Sequence, residues 1–129
     1  MNLPLVSMIP QRHIGDCGVA ALAMLLGVTY EDALLALGSE VPSVLRRGVW
    51  FTELQRAAAR LGVTLVQKRT YDLELAEGIL QIIYKPKVEH VVVLREGLFF
   101  DTDFTVWKPD EFLKAKRAKA GALLVREDE

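Results

Sequence analysis

The chain holds one cysteine, Cys17, and two histidines, His13 and His90, so any thiol or imidazole chemistry must be built from these three side chains. Cys17 opens the apolar run Cys17-Gly18-Val19-Ala20-Ala21-Leu22, which reads as the first turn of a helix. Unpaired backbone N–H groups and the helix dipole favour an anion there, and hence a thiolate nucleophile. Gly15 and Gly18 bracket the cysteine and leave room for a substrate backbone to approach closely. Asp16 most simply occupies the N-cap position of that helix, and with Gly15 and Gly18 it is a candidate for contact with substrate. Six residues before the cysteine, Gln11 carries an amide donor able to meet an oxyanion beside the Cys17 N–H.

A thiol nucleophile needs a base. His90 heads the β-branched run Val91-Val92-Val93-Leu94, so a strand would present its imidazole rigidly. Asp101 follows eleven residues later, at the end of Leu98-Phe99-Phe100 and across the turn Arg95-Glu96-Gly97. The two ends of an antiparallel hairpin lie together, which lets Asp101 accept from the ring and set its tautomer. Asp103 competes for the same role.

Gln-x4-Asp-Cys-Gly-x-Ala-x-Leu, followed downstream by His-x-Val-Val-Leu and then Asp, resembles the C39 and C39-like domains of the papain-like cysteine peptidase superfamily. That family includes the peptidase domains that remove double-glycine leader peptides from bacteriocin precursors. The segment Gly48…Thr52-x-Leu54…Ala57-Ala58-x-x-Leu61-Gly62 is similar to the family's middle helix, and the likeness runs from about Val6 to Asp103. The resemblance implies Gln11 in the oxyanion hole, Cys17 as nucleophile, His90 as general base and Asp101 as its orienting partner. It also implies a peptide or protein substrate and no cofactor. The chain departs from the family's frequent Asp-Pro at the third position, having Asp101-Thr102-Asp103. It also contains no Gly-x4-Gly-Lys-Ser/Thr motif, so export and cleavage are not expected from one polypeptide.

The same residues admit other roles. An amine instead of water resolving the thioester would make the protein an acyl transferase, and a silent papain-like module would bind peptide as an adaptor. Cys17 alone could be a small buried hydrophobe. His13 reads as an exposed loop residue, and no zinc site is expected from one cysteine and two histidines. Trp50 and Trp107 read as core or rim packing. The run Lys114-Ala115-Lys116-Arg117-Ala118-Lys119 spreads its charge around a short helix end, without interleaved aromatics, so nucleic acid is not an expected partner.

The elements that must position these groups follow from periodicity. Val6–Ile9 reads as a short strand leading into a loop, and Cys17–Leu26 as a helix stopped by Gly27. A second helix is expected over Tyr30–Leu37, ended by Gly38, and a third from Thr52, burying Leu54, Ala57, Ala58 and Leu61 before Gly62. Strands are expected at Val63–Gln67, Ile79–Tyr84, Val91–Leu94 and Leu98–Phe100. A helix from Pro109 to about Lys119 and a last strand Ala122–Val125 complete the chain. Helices first and an antiparallel sheet afterwards make an α+β fold of the papain-like kind, with the cysteine on the helices and the histidine and aspartate on the sheet. One such domain accounts for 129 residues, 51% of them hydrophobic. A net charge of -1 provides no field for nucleic acid or anionic membrane. The N-terminus lacks a basic, apolar signal pattern, and the run Val19–Val28 is about half a bilayer crossing, so a cytoplasmic protein with no membrane segment is expected.

Overall fold

The computed structural model describes residues 16–40, 50–84, 89–103 and 105–127. Helix α1 spans Cys17–Leu26, α2 Tyr30–Glu40, α3 Phe51–Arg60 and α4 Pro109–Lys116. The strands are β1 Leu65–Lys68, β2 Gly78–Tyr84, β3 Glu89–Arg95, β4 Leu98–Phe100, β5 Val106–Trp107 and β6 Ala118–Arg126. All six join one antiparallel sheet in the order β1-β6-β2-β3-β4-β5. The expected strand Val6–Ile9 lies outside the described residues.

Helix α1 is apolar on every side, so it must be surrounded. Gly18 through Leu25 are all buried, and α2, α3 and β3 pack around them. Gly27 ends the helix at φ +71°, with its N–H on the Ala23 carbonyl, a conformation glycine adopts without a Cβ penalty. Helix α3 is amphipathic instead, burying Leu54, Ala57 and Ala58 on one face. Its start is held by Glu53, whose carboxylate accepts from the Trp50 backbone N–H at 2.9 Å, half of a capping box.

Alternation along β3 divides the core. Val91 and Val93 pack with α1, α2 and α3, while Val92 and Leu94 join Phe99, Phe112 and Leu123 in a second cluster under α4. The aromatic edges of Phe99 and Trp107 meet Phe112 at centroid distances of 5.4 and 5.6 Å. Trp107 therefore packs as the sequence implies. Trp50 does not: it is 69% exposed at the head of α3.

Three expected boundaries are corrected. Helix α2 continues to Glu40 through Gly38, because Glu40 is tied to α3 by ion pairs with Arg56 and Arg60. Helix α4 stops at Lys116, with Arg117 at φ +53°, and residues from Ala118 onward become strand. The Ala/Lys-rich segment favours helix locally, but β6 is an interior strand bonded to both β1 and β2, and ladder pairing outweighs that preference. The short β5 has no counterpart among the expected strands. The β2–β6 contact is also unusually close: a Cβ on Gly78 would lie 1.9 Å from the Leu124 carbonyl oxygen, so only glycine fits there.

Candidate active site

The β3–β4 hairpin builds one half of the site. Arg95 pairs with Leu98, leaving Glu96 and Gly97 as a two-residue turn with φ +52° and +75°. Positive φ at both positions is the type I′ geometry that matches strand twist. The ladder runs through Leu94↔Phe99 to Val93↔Phe100 and ends there. Continued regularly, it would place Asp103 opposite His90. The chain instead turns after β4, with the Asp101 N–H bonded to the Thr105 carbonyl at 2.9 Å.

Asp101 thereby reaches His90 diagonally, and its Oδ1 lies 2.6 Å from His90 Nε2. The same oxygen accepts from the Thr102 backbone N–H at 2.7 Å. Asp101 is buried and the imidazole nearly so, with side-chain exposures of 6% and 18%. Asp103 faces outward and accepts from the Thr105 amide and hydroxyl. Geometry thus places Asp101, not Asp103, on the histidine.

The other half comes from α1. Cys17 is half-buried at its first turn, next to the apolar cluster of the helical layer. Burial opposes the charged form of His90, but hydrogen bonding with Asp101 and Cys17 and the electrostatic pull of both overcome it, raising the imidazole pKa from 6.5 to about 9. With Nε2 engaged by Asp101, Nδ1 is the ring nitrogen left for the thiol. The imidazole is thus biased toward imidazolium, the state that pairs with a thiolate.

Asp16 is at the N-cap position, as its place in the sequence implies, but its carboxyl makes no capping bond. It is fully buried and accepts from the Tyr30 hydroxyl at 2.5 Å. The side chain therefore fastens the start of α1 to the start of α2. Gly18 is buried within α1. Gln11, His13 and Gly15 lie outside the described residues.

Two tyrosines escape the sequence reading of this site. Tyr30 enters there only as a helix start, because nothing local connects it to a carboxyl fourteen residues earlier. Tyr84 ends β2 with its ring centroid 6.2 Å from that of His90. Burial raises the Tyr84 pKa, and the charges of Asp101, Asp103 and Cys17 raise it further, so the phenol stays neutral. Only the strand order, which sets β2 beside β3, marks it.

Among the described residues no group of three or more His, Cys, Asp or Glu side chains is arranged to hold a metal ion, and no helix is long and apolar enough to cross a membrane. A cleft of about 570 Å³ lies elsewhere, between β1, β6 and the segment before β2, lined by residues including Lys68, Tyr71, Leu75 and Arg126. It contains none of the Cys17, His90 or Asp101 side chains.

Helices bearing the cysteine, packed on an antiparallel sheet bearing the histidine and aspartate, make an α+β fold. The chain is similar to the solved structure of a double-glycine-motif protease from an AMS/PCAT transporter, in complex with the leader peptide. The two share 23% identity over 94% of this chain and 90% of that one, with a TM-score of 0.64. No protein-family profile matches the chain, and no curated protein matches it.

Proposed function

We propose that this protein is a cysteine peptidase acting on a peptide substrate, with Cys17 as nucleophile, His90 as proton carrier and Asp101 as the group that orients it. The observation carrying this reading is the convergence of the α1 cysteine on a buried His90–Asp101 pair. The fold shared with a double-glycine-motif protease supports it, and supports a leader peptide with a Gly-Gly cleavage site as the substrate class.

In this mechanism the Cys17 thiolate attacks the scissile carbonyl, forming the S–C bond and moving the carbonyl π electrons onto oxygen. The Cys17 N–H at the helix start, together with the Gln11 amide assigned by the sequence resemblance, donates to that oxyanion. As the intermediate collapses, His90 gives its proton to the departing amine and the C–N bond breaks. Water then attacks the thioester while His90 takes its proton. The C–S bond breaks and the carboxylic product leaves. Asp101 accepts from the ring throughout and stabilises each imidazolium stage.

The test is incubation of the whole chain with synthetic peptides carrying an internal Gly-Gly step, read by mass spectrometry. Cleavage after the second glycine that disappears in Cys17→Ala is expected. Cleavage at an undiminished rate in Cys17→Ala would sink the mechanism. No cleavage by the wild type, combined with peptide binding, would return the adaptor role. An added amine appearing in the product would identify acyl transfer.

A further inference from the structure

His90 is confined from two directions, and only one of them is the aspartate. Across β2–β3, His90 pairs with Ile82. Tyr84 stands two residues further along β2, on the diagonal of that pair, and Asp101 stands on the diagonal of the β3–β4 side. The tyrosine ring meets the imidazole at 6.2 Å between centroids and 35° between planes, and it is itself half-buried. Its backbone is fastened on the other side by the pairing of Tyr84 with Ala118 on β6, so the ring has a fixed base.

We propose that Tyr84 is a positioning residue: its ring covers the imidazole, restricts its rotation and keeps water from the His90–Asp101 hydrogen bond. The groups facing His90 are Cys17 from α1, Asp101 from the end of β4 and Tyr84 from β2, while Asp103 acts on the Tyr84 phenol. Three of these four carry or can carry negative charge. Tyr84 is the neutral member, so it excludes solvent without competing for the imidazolium proton. A hydrogen bond and charges shielded from water act more strongly than the same groups in water. Removing the ring relieves some of the burial that opposes the charged form but also exposes to water the combined attraction that outweighs it, so the histidine falls back toward its ordinary value of about 6.5. The effect acts through the ring face and not through the hydroxyl, which separates Tyr84→Phe from Tyr84→Ala.

The kinetic consequence rests on the peptidase reading, whereas the titration does not. The decisive measurement is the C2–H NMR titration of His90 in the whole chain, assigned with His13→Asn because the protein has only two histidines. Tyr84→Phe is expected to titrate like the wild type, and Tyr84→Ala to titrate lower by about one pH unit. With a cleavable Gly-Gly peptide, Tyr84→Ala is expected to lower kcat about tenfold with KM within about twofold, and Tyr84→Phe to restore it. Should Tyr84→Ala fail to fold, Tyr84→Leu keeps the apolar volume without the flat ring and is expected to shift the titration in the same direction. An unshifted titration in the folded Ala or Leu variant overturns the proposal, as does a Phe variant shifted as far as Ala. A shifted titration in a chain that cleaves nothing supports the positioning role while removing the peptidase reading.

Discussion

In the proposed mechanism the base side, His90 with Asp101, and the nucleophile side, Cys17 on α1, are held by different kinds of interaction. His90 and Asp101 are joined by one hairpin whose two-residue turn sets the register, and the chain between them is short. Cys17 meets them only after α1 has been packed on β3 and pinned to α2 through Asp16 and Tyr30. One half of the site is therefore assembled by local backbone geometry and the other by tertiary burial. A hairpin can form from its own ladder, whereas an all-apolar helix start has no fixed position until the core closes around it. The two halves should fail independently.

The largest effect belongs to the atom at which the halves meet. Cys17→Ala is expected to reduce kcat on a cleavable peptide by roughly 10⁵- to 10⁶-fold, while circular dichroism and the His90–Asp101 pairing stay native. A residual rate near wild type would place the chemistry elsewhere.

Asp101→Asn attacks the base side alone. It is expected to lower kcat by about 10²-fold, since the amide keeps a hydrogen bond to the ring but removes the charge that holds the imidazolium, and to bring the His90 titration down from about 9. The same variant tests linkage. The folded pKa of His90 lies above its unfolded value, so the stabilisation it provides is complete below about pH 6.5 and is lost as pH rises through about 9. Wild-type Tm should fall across that interval more steeply than that of Asp101→Asn. Equal slopes would show that the pair contributes nothing to folding.

On the nucleophile side, Tyr30→Phe leaves the buried Asp16 carboxyl without its hydroxyl donor. A loss of about 2 kcal/mol in urea unfolding is expected, together with a changed rate of Cys17 alkylation by iodoacetamide. The His90 titration should stay near its wild-type midpoint, because the hairpin is untouched. A titration that moved as far as in Asp101→Asn would mean the halves are not separable.

The smallest effect is expected from Gly97→Ala, which puts a Cβ on a residue at φ +75°. The strain costs roughly 1 kcal/mol. The His90–Asp101 bond should survive it, since Phe100 is still paired with Val93 and the Asp101 N–H is still held by Thr105. Loss of the pairing in this variant would show that the turn alone, and not the strands behind it, holds the base side.

Much of this organisation is legible along the chain. The α1 limits follow from an apolar run bounded by Asp16 and Gly27, and the hairpin from β-branched residues around Glu96-Gly97. The choice between Asp101 and Asp103 is harder to read, because regular ladder extension favours Asp103. It turns on the chain leaving the ladder after Phe100. Where local preference and sheet pairing disagree, as over Ala118–Gly121, the sheet prevails because an interior strand satisfies its backbone on two sides.

The sequence by itself determined the reactive inventory: one thiol at a helix start, one histidine heading a strand, and an aspartate just across a tight turn. Each of these depends on residue type and short-range backbone preference, which act without the rest of the fold. The tertiary structure decided everything that needs distant segments to touch. It set Tyr84 against the imidazole, bound Asp16 to Tyr30 and brought Cys17 to His90. Those contacts depend on which strands neighbour one another and on how an apolar helix is buried, and no local spacing encodes either.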